Sequence, residues 1–217
     1  MDLRILLADD HRMVRDGLRA LIQLEPGLQV VGEADDGQEA VELARRLHPD
    51  VVVLDVAMPV LNGIDASRQI CAEQPDVGII ALSQHADKRL VTAMFRAGAR
   101  GYLLKKNAFH ELARAIHVVV EGKLFVSPQI AGMVAGDFAN RTSVDASSRF
   151  SELTGREREV LQLLVEGWAA ERIADALHIS VNTVSTHRYH IMEKLGIRTL
   201  PELTKFAIRE GITFLDD

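Results

Sequence analysis

Val51-Val52-Val53-Leu54-Asp55-Val56-Ala57-Met58-Pro59 is the stretch on which the fold turns. Four apolar residues, three of them β-branched, run directly into one carboxylate. Such a short unbroken apolar run reads as a strand buried on both faces, as in a parallel sheet. Pro59 ends any regular ladder because it lacks an N–H. Asp55 therefore falls where strand gives way to loop. In open α/β sheets, ligands sit outside the carboxyl ends of the strands, so this carboxylate is a candidate metal ligand or nucleophile. A loop Asp capping the next helix is the alternative, and the stretch alone leaves both open.

Working outward, the same alternation repeats on either side. Leu3–Ala8 is a strand candidate ending in Asp9-Asp10, and Met13–Leu24 follows with helical spacing at Val14, Leu18, Leu21 and Ile22. Leu28–Gly32 is a second strand and Asp36–Leu47 a second helix. After the opening strand come a helix at Asn62–Glu73, a strand at Gly78–Leu82 and a helix at Asp87–Ala97. A strand at Arg100–Leu104 and a helix at Ala108–Glu121 complete the set. Five strands alternating with five helices predict an α/β doubly wound five-stranded parallel sheet of the flavodoxin-like kind, with right-handed crossovers.

The 217 residues carry a formal net charge of −6, with 47% hydrophobic and 26% charged residues, an ordinary globular profile. The single cysteine, Cys71, excludes an intrachain disulfide and a cysteine-built metal cluster. It lies on a helical face with Ile64 and Arg68 and reads as an inert thiol. No signal-peptide pattern opens the sequence and no apolar run approaches the roughly 20 residues of a membrane helix. The expected location is cytoplasmic. An acidic total does not by itself advertise nucleic-acid binding.

The polar residues at the strand ends bear on Asp55. The first strand ends at Asp9 and Asp10, the fourth at Ser83 and the fifth at Lys105. In a parallel sheet these ends point the same way, so the side chains can converge. Three neighbouring carboxylates repel unless a cation joins them, and hard oxygen donors suit Mg²⁺ or Mn²⁺. An ammonium and a hydroxyl beside them suit a phosphoryl group. Asp55 would then be a nucleophile that forms an acyl phosphate.

Ala8-Asp9-Asp10-His11-Arg12-Met13-Val14-Arg15-Asp16-Gly17-Leu18, the Asp55–Pro59 stretch, Ala81-Leu82-Ser83 and Gly98-Ala99-Arg100-Gly101-Tyr102-Leu103-Leu104-Lys105 resemble the receiver domain of two-component response regulators. The resemblance implies that Asp55 accepts a phosphoryl group from a sensor histidine kinase. It implies that Asp10, Asp55 and the main-chain carbonyl of Ala57 ligate Mg²⁺, with Asp9 acting through water. Ser83 and Lys105 would contact the phosphoryl oxygens. Tyr102 matches the aromatic switch position that follows Ser83; the lesser alternative is a strand aromatic packing against a helix. Phosphorylation would add roughly −1.5 to −2 charge to the pocket and bias the fourth and fifth helices and fifth strand between two packings.

From Lys123 the pattern loosens. Ser127-Pro128 breaks it, Gln129–Phe138 could form a short helix, and Ala139–Phe150 is polar and reads as linker. The expected division is a receiver over 1–126, a linker over 127–150 and a small all-α domain over 151–217. In that last part Thr154 and Glu157 form a capping-box pattern, and a helix runs on to Glu166, stopping at Gly167. A short helix at about Ala170–Leu177, a turn at His178-Ile179 and a Ser180-capped helix at Val181–Leu195 make a helix-turn-helix. Leu200–Glu210 is the last helix, closed by Gly211.

From Ser151 onward eight Lys and Arg face eleven Asp and Glu, a net charge of 8 − 11 = −3 that is unusual for a DNA binder. Positive and histidine side chains nevertheless gather on and around the second helix of the motif: His178, His187, Arg188, His190, Lys194 and Arg198 against Glu193. Asn182, Thr183, Ser185, Thr186 and Tyr189 share that helix and are residue types that meet phosphates and base edges. A solvated polar face is the alternative.

Leu153-Thr154-Gly155-Arg156-Glu157-Arg158-Glu159-Val160-Leu161, Gly167, Ile173-Ala174, Leu177, Ile179-Ser180, Thr183-Val184, Thr186-His187 and Lys194-Leu195 resemble the LuxR-type helix-turn-helix. Together the two halves are similar to the NarL/FixJ subfamily of response regulators. The resemblance implies a DNA-binding transcription factor whose recognition helix is Val181–Leu195. Ser185, Thr186 and Tyr189 would face bases, and His187, Arg188, His190 and Lys194 phosphates. The implied partners are the kinase, double-stranded promoter DNA and a second copy in a homodimer, the last helix being the usual dimer face; RNA polymerase is a further partner such a tail allows. Ala170 and Glu171 depart from the family, which usually has a capping residue and a Lys there. Ser185 departs too, where Lys is common. Modest, salt-sensitive, dimer-dependent affinity is therefore expected.

Two other classes compete. A phosphotransferase or phosphatase using Asp55 on a small molecule would need a second carboxylate two residues on, where Ala57 stands. A phosphate-independent regulator would tend to lose Asp9, Asp10 or Lys105. The expectation is no enzyme activity beyond the receiver's own Mg²⁺-dependent phosphorylation and dephosphorylation.

Overall fold

The computed structural model of the protein describes residues 2–132 and 149–213. The chain forms two compact units, each taken by itself.

The first unit is a parallel sheet wrapped by helices. Its elements are β1 (Leu3–Ala8), α1 (Arg12–Leu24), β2 (Leu28–Ala34), α2 (Gly37–Leu47), β3 (Val51–Asp55) and α3 (Gly63–Glu73). After these come β4 (Gly78–Ser83), α4 (Lys88–Arg96), β5 (Gly101–Leu104), α5 (Lys105–Val120) and a short β6 (Phe125–Val126). The strand order is β2-β1-β3-β4-β5-β6, all parallel. Each of the five expected strands and helices is present, in the doubly wound order. β3, the opening stretch, lies at the centre with every residue buried, which is why it carries no polar alternation.

Ile5, Leu7, Val53, Ile80, Leu82 and Leu103 pack with Leu18 and Ile22 of α1 and Leu112, Ile116 and Val119 of α5. Side chains of this size each contribute about 1.5–3 kcal/mol when buried. α2, α3 and α4 adjoin one another in sequence along the sheet. Side-chain caps start three of the helices: Asp36 accepts from the Glu39 N–H, Asn62 from Asp65 and Asp87 from Arg89. Each cap stands where the sequence placed the first helical residue, because an Asn or Asp there satisfies a helix N–H from just outside the helix.

Three boundaries differ in ways that bear on function. Ser83 is the last residue of β4. α5 begins at Lys105, three residues before the expected Ala108, so the strand-end lysine is also the first residue of a helix. β6 is a sixth strand the pattern did not show. It has two residues, too few for periodicity to register, and it pairs Gly101 with Phe125 and Tyr102 with Val126. Residues 127–130, expected to open the linker, are held to this sheet: the Ser127 N–H donates to the Tyr102 carbonyl at 3.1 Å, and Ser127 and Ile130 are fully buried. Residues 128–132 are helical. The rest of the expected Gln129–Phe138 helix, and Ala139–Ser148 of the expected linker, lie outside the described residues.

The second unit is helical among its described residues. A 3₁₀ turn (Arg149–Glu152) leads to α6 (Gly155–Val165), α7 (Ala170–Ala176), α8 (Val181–Leu195) and α9 (Leu200–Glu210). Leu161, Ile173, Val184, Ile191, Leu195 and Leu203 form its core. The Thr154–Glu157 capping box is present, as is a second at Thr199–Glu202. Ser180 caps α8 by accepting from the Thr183 N–H, and His178 takes a left-handed turn conformation between α7 and α8. The uncapped helix start lies at Ala169, not Ala170, and offers no side-chain acceptor; Glu171 falls in the first turn of α7, where a negative charge favours the helix. No helix among the described residues is long and apolar enough to cross a membrane.

Candidate functional site

The carboxyl ends of β1, β3, β4 and β5 converge as the strand ends imply. Asp9 and Asp55 are almost wholly buried. The Lys105 ammonium lies 2.7 Å from Asp55 Oδ2, to which it donates, and 2.7 Å from Asp9 Oδ2. Asp9 Oδ2 is buried, and the Lys105 ammonium is the partner it faces. The other Asp9 oxygen accepts from the His11 N–H at 2.9 Å, and Asp10, more exposed, pairs with His11 Nδ1 at 2.8 Å. The Ala57 N–H donates to Asp55 Oδ1 at 3.2 Å.

The loop after β3 is fixed by a close approach. Gly63 lies so near the Asp55 carbonyl that an added Cβ would come within 2.1 Å of its oxygen. Glycine at the start of α3 therefore lets the helix sit directly against the Asp55 backbone, and the Gly63 N–H donates to Val56 at 3.0 Å.

The electrostatics follow from this crowding. Burial pushes the Asp55 carboxyl up to about 7; the Asp9 charge adds to the rise, and the Lys105 ammonium and Ala57 N–H oppose it. For Lys105, burial works against the charge, but Asp55 and Asp9 outweigh it and its pKa is raised. A second cation would relieve the remaining strain. One oxygen from each of Asp9, Asp10 and Asp55 and a ring nitrogen of His11 lie within 4.8 Å of one another. With three carboxylates in so small a space, this donor set fits a divalent ion that prefers oxygen ligands.

Ser83 and Tyr102 form the adjoining wall. Ser83 Oγ accepts from the His85 N–H at 3.1 Å, and the Tyr102 hydroxyl donates to the His85 carbonyl at 3.2 Å. Tyr102 is wholly buried, which pushes its phenol up to about 12 despite its hydrogen bond with Ser83. Its backbone carbonyl receives the Ser127 N–H beyond β6. A hydrogen-bonded path thus runs from Ser83 through His85 and Tyr102 to the segment that leaves the sheet.

In the second unit, α8 presents Asn182, Ser185, Thr186, Arg188, Tyr189 and His190 to solvent, with Thr183 and His187 half-buried. Helical spacing puts Asn182, Thr186 and Tyr189 on one face, opposite the buried Val184, Ile191 and Leu195. Tyr189 is 64% exposed. Ser185 and Thr186 turn their hydroxyls back to the carbonyls of Val181 and Asn182. Lys194 departs from the expected set. Its ammonium lies 2.7 and 2.8 Å from the two oxygens of buried Glu157 and reaches the Glu152 carbonyl, so its charge is spent inside the unit. Burial pushes the Glu157 carboxyl up, yet the Lys194 and Thr154 hydrogen bonds outweigh it and hold it below the usual range.

Sequence reasoning missed three features: β6, the Lys194–Glu157 pair and Arg15. Arg15 is a buried arginine in the first turn of α1. It shares a face with Leu18 and Ile22, and a charge inside an apolar stripe was the available signal.

A doubly wound sheet with a carboxylate–lysine pocket, followed in the chain by a helix-turn-helix unit, is the arrangement of a receiver domain that carries a DNA-binding domain. Residues 5–117 match the response regulator receiver domain, and residues 151–207 match the bacterial regulatory proteins of the luxR family. The chain is 37% identical to the response regulator GacA of Pseudomonas viridiflava over 97% of both chains, and 39% identical to the transcriptional regulatory protein LiaR of Bacillus subtilis over 97% of this chain and 99% of that one. A LuxR-family response regulator from Aurantimonas sp. SI85-9A1 matches with a TM-score of 0.62 at 38% identity, over 64% of this chain and 99% of that one. The response regulator RcsB in a DNA complex matches with a TM-score of 0.59 at 26% identity, over 95% of this chain and 98% of that one. The chain belongs to the two-component response regulators, with an N-terminal receiver domain and a C-terminal LuxR-type helix-turn-helix domain.

Proposed function

We infer that Asp55 is the phosphoacceptor of a sensor histidine kinase and that its phosphorylation controls dimerisation and promoter binding. The observation that carries this is Lys105 between Asp55 and Asp9, with the Asp10 and His11 donors alongside. Asp10, Asp55 and the Ala57 carbonyl would hold Mg²⁺ or Mn²⁺, with Asp9 acting through water. The ion would shield the attacking carboxylate and the incoming phosphoryl oxygens. Asp55 supplies the nucleophilic oxygen, Lys105 and Ser83 meet the transferred oxygens, and Tyr102 follows Ser83. The site's only chemistry is the gain and hydrolysis of this one acyl phosphate.

The output is sequence-specific binding of double-stranded DNA by α8, with Ser185, Thr186 and Tyr189 at base edges and Arg188, His187 and His190 at phosphates. The RcsB–DNA complex supports this reading. A homodimer reading two half-sites in the cytoplasm completes it, with recruitment of RNA polymerase as the readout at promoters. Acetyl phosphate with Mg²⁺ tests the core claim. Mass spectrometry should find one added phosphoryl group in the wild type and none in Asp55→Asn, and an unmodified wild type would refute the assignment.

A further inference from the structure

Asp9 and Asp10 must hold their positions against mutual repulsion, and the loop that carries them has only three residues between β1 and α1. Its backbone is gripped from two sides. The Asp9 N–H donates to the Ala34 carbonyl of β2 at 3.2 Å. The Asp9 carbonyl accepts from Arg15 Nη1, reaching back from the first turn of α1. The guanidinium is itself fastened to β2 and beyond: Nη2 pairs with Asp35, and Nε lies 3.6 Å from Glu33. Glu33 is shared with Arg19 at 2.8 Å. Arg15 is only 8% exposed and its Nε has no hydrogen-bond partner, so the side chain is held at some desolvation cost.

The Asp9 carbonyl belongs to the peptide that joins Asp9 to Asp10. A peptide group is planar, so fixing that oxygen fixes the plane from which the Asp10 side chain departs. Rotation of this plane would swing the Asp10 carboxylate away from Asp9 and Asp55. The guanidinium also brings a positive charge beside the loop without taking up a carboxylate oxygen of the pocket, whereas Lys105 engages two. A helix-to-sheet ion pair alone would need only the Glu33 and Asp35 contacts. The hydrogen bond to the Asp9 carbonyl is surplus to that role.

We propose that Arg15 is a positioning residue of the divalent-ion site, setting the Asp9–Asp10 peptide so that the two carboxylates meet one ion. It acts through the loop and touches neither phosphoryl group nor metal. This rests on the reading of the pocket as a metal-dependent phosphorylation site, and the test separates the two.

Mn²⁺ binding to the full chain is measured by electron paramagnetic resonance, below the melting temperature of each variant, for wild type, Arg15→Gln, Arg15→Lys and Asp35→Asn. Arg15→Gln should weaken binding about tenfold. Arg15→Lys should recover part of the loss, because one ammonium can hold the Asp9 carbonyl or the Glu33 and Asp35 carboxylates but not both. Asp35→Asn, which keeps the carbonyl contact, should change binding less than twofold. In acetyl phosphate reactions, the Mg²⁺ concentration at half-maximal rate should rise for Arg15→Gln while the rate at saturating Mg²⁺ is kept. Should Arg15→Gln not fold, Arg15→Lys carries the test with an expected weakening of threefold or more. Folded Arg15 variants with wild-type Mn²⁺ affinity would overturn the inference and leave the pocket reading standing. A wild type that binds no Mn²⁺ would overturn both.

Discussion

Val60, directly after Pro59 in the loop that follows Asp55, has φ of +66°. A β-branched residue is rarely found in this left-handed region, where its Cβ crowds the following carbonyl at about 1–2 kcal/mol. The Leu61 N–H closes a tight turn around it by donating to the Pro59 carbonyl at 2.7 Å. Strain of this kind persists where the surroundings impose it, and here the loop follows directly from Asp55. Val60→Gly should raise stability by about 1 kcal/mol in denaturant titrations, the relief of the left-handed cost exceeding the extra chain entropy of glycine. Asp55 itself gives a pH-dependent prediction. Its folded-state pKa of about 7 lies above the ordinary 3.8, so between those values the folded protein holds a proton the unfolded chain has lost. Stability must therefore fall as pH rises through that window. Asp55→Asn removes the titration, so in the presence of a chelator it should melt above the wild type, by a margin that widens from about pH 5 to about pH 8. Mg²⁺ should narrow the gap by favouring the carboxylate in the wild type. A wild type as stable at about pH 8 as at about pH 5 without metal would count against the burial of this charge.

At the scale of elements, β6 and the residues after it change where the receiver ends. Ile130 is fully buried although it lies in a stretch that reads as linker. Ile130→Ala should destabilise the receiver by about 2–5 kcal/mol, the range for Ile-to-Ala changes in a packed core. A true linker position would move thermal melting by almost nothing. α8 supplies the converse case. Lys194 reads from the sequence as one more cation on a recognition helix, yet Glu157 absorbs it. Lys194→Ala should cost about 1 kcal/mol or more by leaving buried Glu157 unpaired, and should leave the salt dependence of DNA binding unchanged. Arg188→Ala should do the reverse, lowering the slope of log K against log salt by about 1 with little effect on melting. These cases show what the sequence could and could not convey. Strands such as β3 were legible because burial on both faces writes itself as an unbroken apolar run, and the Thr154 and Ser180 caps because helix starts need a side-chain acceptor. Pocket residues were legible because the parallel topology sends every strand end to one edge. A two-residue edge strand leaves no period to detect. The pairing of Lys194 with Glu157 joins residues far apart in sequence, so charge counted along the chain could not reveal it.

The chain carries an acidic pocket in one unit and, in the other, a helix-turn-helix with little positive charge of its own. From Ser151 onward the net charge is −3, and with Lys194 neutralised by Glu157 the exposed cation left on α8 is Arg188. Nonspecific affinity for DNA grows with the number of phosphates neutralised, so a single copy should bind weakly, and useful occupancy needs two copies on two half-sites. On the proposed reading of Asp55 as phosphoacceptor, its phosphorylation acts on the monomer–dimer equilibrium. A two-state shift of this kind alters how much competent dimer is present, not the contacts the dimer makes. This gives a measurable signature. With acetyl phosphate and Mg²⁺, the protein concentration for half-maximal promoter binding should fall about tenfold or more, an effect of about 1.4 kcal/mol. The salt slope of the saturated complex should stay the same, since the same Arg188 and backbone contacts are formed. Asp55→Asn should keep the unphosphorylated midpoint under both conditions. A slope that steepens on phosphorylation would mean that new DNA contacts are uncovered, and control would then lie in releasing the reading surface, not in pairing two copies of it.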